Sequence, residues 1–149
     1  GAVLGGPVLE GSSNGIENQL ISFIEDADKP VDKTTWFNFD HLNFKTGSAE
    51  LDMEYSRQQL TNIYEVLKAF PKVSIKIGGY TDSDGDDKSN QTLSKKRADT
   101  VKAALEAMGV DKARLEAEGY GEQHPQCPAN DTPECKAQNR RIAVRVTAK

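Results

Sequence analysis

The sequence predicts an α/β (α+β) open-faced sandwich, a mixed parallel/antiparallel sheet of about four strands with helices on one face and solvent on the other. Three observations carry that expectation. KVSIKIGGY and NRRIAVRV alternate apolar and polar residues, as strands covered on one side do. MEYSRQQLTNIYEVLKAF and QTLSKKRADTVKAALEAMG carry apolar residues at helical spacing. The segments run strand, helix, strand, helix, strand, strand, an order that layers helices on a single sheet.

Residues 1–34 read as a linker and a short amphipathic segment, and residues 35–149 as the main domain. GAVLGGPVLEGSSNG is Gly-rich without a sustained period. IENQLISFIED then puts Ile16, Leu20, Phe23 and Ile24 on one side of a short helix, with Asn14 as an N-cap. This helix is expected to dock on the main domain, and a homodimer contact is the other role open to it. TWFNFDHLNF is strand-like, but Phe37 and Phe39 share one parity and Leu42 and Phe44 the other. A bulge or a pair of short strands near Asp40 would explain the break. The first long helix carries Leu60, Ile63, Tyr64, Leu67 and Phe70 and is stopped by Pro71. In the next strand Val73, Ile75 and Ile77 face one way, and Ser74 and Lys76 the other. TDSDGDDKSN is a loop, the second helix stops at Gly109, and ARLEAEGY is a short strand. In the last strand Ile142, Val144 and Val146 alternate with Arg141, Ala143 and Arg145.

The chain has 149 residues, 36% of them hydrophobic, enough for one domain with a core. Its net charge is −4 and its Lys and Arg residues are scattered, so neither nucleic acid nor an anionic membrane surface is an expected partner. No apolar run approaches the roughly 20 residues that span a bilayer. Any leader or membrane anchor is expected upstream, outside these residues. Cys127 and Cys135 lie in a polar, turn-forming loop, CPANDTPEC. A disulfide suits that spacing in an oxidising compartment such as a periplasm. Two free thiols, or a metal site using His124 with both cysteines, are the alternatives. The metal site lacks a fourth ligand.

The second helix holds an anomaly. With Leu93 as the zero of a helical wheel, Ala104, Met108, Val101 and Leu105 fall at about 20°, 60°, 80° and 120°. Arg97 falls at about 40°, inside that stripe, and Asn90 at about 60°. A guanidinium on an apolar side must be paired or must await an anion at a cleft. Its planar fork of donors matches a carboxylate. Asp82 follows the strand KVSIKIGGY directly, at the carboxyl end where α/β sheets bind ligands, and Gly78 and Gly79 would admit a ligand or another backbone. The plain structural alternative is an internal Asp82–Arg97 salt bridge that only fixes the loop.

At these residues the sequence resembles the OmpA-like C-terminal domain family, which includes outer-membrane porin tails, peptidoglycan-associated lipoproteins and flagellar stator proteins. The matching pieces are FNFDHLNFKTGSAEL, IGGYTDSDG, NQTLSKKRADTVKAAL, RLEAEGYGEQHP and NRRIAVRV. The family pattern TD-x-x-G, then N-x-x-L-S-x-x-R-A-x-x-V, is met at Thr81, Asp82, Gly85, Asn90, Leu93, Ser94, Arg97, Ala98 and Val101. The resemblance implies non-catalytic, non-covalent binding of peptidoglycan in the periplasm, tethering an outer membrane or envelope complex to the wall, with no cofactor. It implies that Asp82 and Arg97 contact diaminopimelate of the stem peptide. Thr46, Gly47 and Ser48 are expected to contribute from the loop after the first strand, with Asn90 and Leu93 near the ligand. Asp84 belongs to a loop more acidic than is usual, and Tyr80 stands where many members have His.

Other functions have weaker footing. His41 and His124 form no triad or HExxH arrangement, so hydrolysis lacks its groups. DSDGDD is not a calcium loop: counted from Asp82, Gly85 comes at the fourth position and Leu93 at the twelfth. An envelope protein-interaction module, with Asp82–Arg97 as a mere salt bridge, is the remaining alternative.

Overall fold

Val73, Ile75 and Ile77 are buried and Ser74 and Lys76 are half-exposed, so the alternation read in KVSIKIGGY is the two-sidedness of a strand. A computed structural model describes residues 15–39, 42–45, 48–123 and 126–149. Within them the elements are α1 (Ile16–Glu25), β1 (Trp36–Asn38), α2 (Met53–Ala69), β2 (Ser74–Tyr80) and α3 (Asp87–Met108). A 3-10 turn (Lys112–Arg114), β3 (Leu115–Gly121), α4 (Pro133–Asn139) and β4 (Arg141–Ala148) follow. The strands form one four-stranded sheet in the order β1-β4-β2-β3. β2 and β3 run parallel; β4 is antiparallel to both β1 and β2. This is the expected mixed, open sheet.

The core lies between the sheet and its helices. Ile75 and Ile77 of β2, with Val144 and Val146 of β4, meet Leu60, Ile63 and Leu67 of α2 and Ala98, Val101 and Leu105 of α3. α2 begins at the side-chain cap Asp52 and ends at Ala69, ahead of Pro71. Arg114 reaches back to the carbonyls of Leu67, Phe70 and Val73, at 2.7, 3.0 and 2.9 Å, closing the end of that helix. α3 is capped by the Asp86 side chain and stops at Gly109, whose φ of 120° suits glycine.

α1 packs on the same core through Ile16, Leu20 and Phe23. The docking expected of this helix is thus made by its apolar face. Glu17, also buried, accepts hydrogen bonds from Gln59 (3.2 Å) and Asn62 (3.3 Å) of α2. Lys149 donates to the carbonyls of Phe23, Asp26 and Lys29 at the far end of α1. The expected cap Asn14 lies outside the described residues, and Gly15 occupies the cap position. The strand-like stretch after residue 34 becomes the short β1 and an isolated bridge between Phe44 and Leu51. Its break near Asp40 also lies outside the described residues.

The face of the sheet turned from the helices is less bare than expected. Trp36 meets Tyr80 and Tyr120 edge-on at 6.4 and 5.8 Å, and the two tyrosines stack at 5.1 Å. Arg141 lies 3.9 Å over Tyr80. Burial raises the pKa of both phenols above the ordinary tyrosine value. A Cβ at Gly78 would stand 3.0 Å from the Trp36 and Tyr120 rings, which would have to give way by a few tenths of an ångström.

Candidate functional site

The site forms where β2 ends. The Thr81 amide still donates to the Gly121 carbonyl at 2.7 Å, so the sheet's order extends one residue past β2 and fixes the start of the acidic loop. Asp82 follows, with a side chain 12% exposed. Its Oδ1 accepts from the Asp84 amide at 3.0 Å and its Oδ2 from Arg140 at 2.6 Å. Asn90, in the first turn of α3, donates to the Asp84 carbonyl (2.9 Å) and the Asp82 carbonyl (3.4 Å) and so holds the loop to the helix.

Arg97 enters from α3. Its Nε donates to the Ser48 carbonyl at 2.9 Å and its guanidinium lies 5.0 Å over the Phe44 ring. Burial, chiefly, and the nearby Arg140 lower its pKa, while Asp82 opposes them. Asp82 is thus within electrostatic reach of Arg97, but no ion pair joins the two. The internal Asp82–Arg97 bridge offered as the structural alternative is replaced by Asp82–Arg140. A cleft of about 580 Å³ opens beside the arginines, lined by Leu42, Asn43, Phe44, Arg97, Ala137, Arg140, Arg141 and Ile142. Arg97 keeps donors toward this space, and Arg140 is partly committed to Asp82. The arrangement can take a carboxylate on the guanidiniums, and Asp82 is a fixed anion just behind them.

Several expected residues fall differently. Ser48 contributes its carbonyl to Arg97, while its hydroxyl accepts from the Glu50 amide at 2.8 Å. Thr46 and Gly47 lie outside the described residues. Asp84 turns from the cleft and binds Lys136 (3.0 Å) and Asn130 (3.2 Å), and the Lys136 contact chiefly lowers its pKa. Leu93 lines a separate shallow hollow with Lys88, Ser89, Thr92 and Lys96, not the cleft. Its wheel position explains this: the buried stripe of α3 is Ser94, Ala98, Val101 and Leu105, centred about 110° from Leu93. Arg97 sits on the rim of that stripe rather than inside it. Gly79 does admit another backbone, the Ser94 carbonyl of α3.

Arg140 was not singled out in the sequence. NRRIAVRV reads as strand, and Arg140 as one more polar residue. The available signal was the doubled arginine, since alternation can send only one of the two to each face of a strand. Cys127 and Cys135 form the expected disulfide, with Cα atoms 5.3 Å apart. His124 lies outside the described residues, and no cluster of metal-ligating side chains occurs among those described. No described helix is long and apolar enough to cross a membrane.

Comparison with known proteins gives this geometry its family. Residues 43–140 match the OmpA family model. Over 104 residues the chain is 40% identical to a probable lipoprotein, YiaD, of Escherichia coli (strain K12), covering 70% of this chain and 47% of that protein. The chain thus spans about half or less of the curated relatives it matches. The crystal structure of the peptidoglycan-associated lipoprotein from Burkholderia pseudomallei superposes with a TM-score of 0.64 at 31% identity, over 71% of this chain and 88% of that one. The periplasmic domain of Helicobacter pylori MotB superposes with a TM-score of 0.68 over 81% of this chain and 80% of that one; at 22% identity it speaks to the fold alone. The Escherichia coli relative is thus named a probable lipoprotein and the Burkholderia one a peptidoglycan-associated lipoprotein. β2, β3, the Asp82 loop and the arginine of α3 fall within the matched span, and the chain belongs to the OmpA family.

Proposed function

We propose that the chain is a periplasmic domain that binds peptidoglycan without catalysis and tethers an outer-membrane-associated protein to the wall. The observation that carries this reading is the cleft bounded by Arg97 and Arg140 with Asp82 behind them. The recognised group is the free end of diaminopimelate in the stem peptide, where an ammonium and a carboxylate share one carbon. Arg97 takes the carboxylate through its free donors. The ammonium takes over the Asp82 oxygen that Arg140 holds, and Arg140 turns to the ligand's carboxylates. Each contact is charge-assisted and partly screened from water, which strengthens it. The Phe44 ring supports the Arg97 guanidinium from one side, and the Ser48 carbonyl accepts from its Nε.

The name of the Burkholderia lipoprotein supports the wall as the partner, and the chain's 31% identity with it over most of its length supports a shared site. The test is sedimentation with purified sacculi, with meso-diaminopimelate and lysine as competitors. Wild type should pellet and be released by diaminopimelate. Arg97→Ala and Asp82→Ala should each lose about 2–5 kcal/mol of binding, part of it from leaving a charge unpaired. Unchanged pelleting of both variants would sink the reading.

A further inference from the structure

We propose that the Cys127–Cys135 disulfide and Asn139 are positioning elements for Arg140, so that the affinity of the cleft depends on the thiol state. The proposal rests on the reading of the cleft as a binding site for an amino-acid carboxylate. It starts from α4, which has seven residues. A helix that short does not hold itself together in water. Only Cys135 and Asn139 of α4 are buried, so no apolar side chain pins it to the core.

Both ends of α4 are instead tied to Cys127. The first turn is tied covalently, through Cys135. The last turn is tied by the Asn139 amide, whose Oδ1 accepts from the Cys127 amide and whose Nδ2 donates to the Cys127 carbonyl, each at 2.8 Å. Asn139 is 1% exposed. Arg140 comes next in the chain and places its guanidinium on Asp82 at 2.6 Å. One turn earlier, Lys136 holds Asp84 at 3.0 Å. A disulfide-held helix thus lays two cations on two carboxylates of the acidic loop.

Reduction by a dithiol opens this device. Two electrons and two protons pass to the disulfide, giving two thiols, and the dithiol is oxidised to its own disulfide. Without the cross-link, α4 keeps the Asn139 hydrogen bonds, its Thr132 cap, its surface ion pairs and its junction with β4, and loses the one covalent tie of its first turn to Cys127. The disulfide lies apart from the apolar core cluster, so the sheet and its helices persist.

The test is calorimetric titration of the whole 149-residue chain with meso-diaminopimelate, oxidised and after treatment with dithiothreitol. The reduced form should bind roughly tenfold to a hundredfold more weakly, as expected when one charged hydrogen-bond partner is misplaced. Its far-ultraviolet dichroism should remain folded. In Arg140→Ala, oxidised and reduced forms should bind alike, because the residue being positioned is gone. A purely structural disulfide would not produce that cancellation. Equal affinity of the two wild-type forms, or a redox effect undiminished in Arg140→Ala, would overturn the proposal. Should reduction unfold the chain, Asn139→Ala with the disulfide intact carries the test: weakened binding supports the proposal, and unchanged binding refutes it. Failure of the oxidised wild type to bind is a distinct result and removes the proposed function itself.

Discussion

Arg97 lies on the rim of the α3 stripe, where it can be desolvated on one side and still reach a ligand on the other. That position separates its contribution to binding from its contribution to folding. Arg97→Lys keeps the charge but loses the fork, and should weaken diaminopimelate binding by about tenfold or more. Its thermal midpoint should stay within a few degrees of wild type, read in the same preparation by dichroism. Asp84 behaves differently. Its pKa is lowered, chiefly by the hydrogen bond from Lys136. Its contribution to holding the loop is complete above the ordinary carboxylate pKa and fades as pH falls through the lower folded value. A carboxyl titration by NMR should place Asp84 below the reference of 3.8, and Lys136→Ala should return it toward that reference. At this scale, hydrophobic patterning singled out Arg97 but misjudged its setting. Ser94 and Ala98 are fully buried, yet neither counts as strongly apolar, so the stripe read from the larger residues was rotated toward Leu93.

Between elements, small residues decide how closely α3 approaches the sheet. Gly79 of β2 and Gly119 of β3 each face the backbone of α3 around Ser94 and Lys95, with no room for a Cβ. Gly79→Ala should cost about 1–3 kcal/mol, because rigid backbone and not a pliable side chain must give way. The urea midpoint would show it. α1 depends on polar matching as well as on apolar burial. Glu17→Ala removes the acceptor that the buried Gln59 and Asn62 amides share and should cost about 1–3 kcal/mol in the same measurement. The long elements were legible because α2, α3 and β2 repeat their period several times. α4 was not: two turns cannot establish a period, and its buried residues are a cysteine and an asparagine. Its only local signals were Thr132 as cap and Pro133 in the first turn. Arg140 was missed with it, since its role comes from following that helix.

Across the whole molecule, the one-sided sheet leaves its carboxyl edge free for a site assembled from four separate stretches: the loop at Phe44 and Ser48, the loop at Asp82, α3 at Arg97 and the end of α4 at Arg140. Asp82 and Arg97 are near enough in sequence to be paired from the residues alone; Ser48 entered only through the family resemblance, and Phe44 and Arg140 only with the fold. The order of the strands has a further bearing on when the domain can form. β4, the last strand in sequence, lies inside the sheet between β1 and β2, pairing Trp36 with Arg145 and Ile77 with Val144. Until β4 arrives, β1 has no neighbour and β2 has only β3. The sheet is therefore completed by contacts between residues distant in sequence, 109 positions for Trp36 and Arg145 and 67 for Ile77 and Val144, which form late and slowly. A chain whose β4 has not yet cleared a ribosome or a pore cannot complete this sheet.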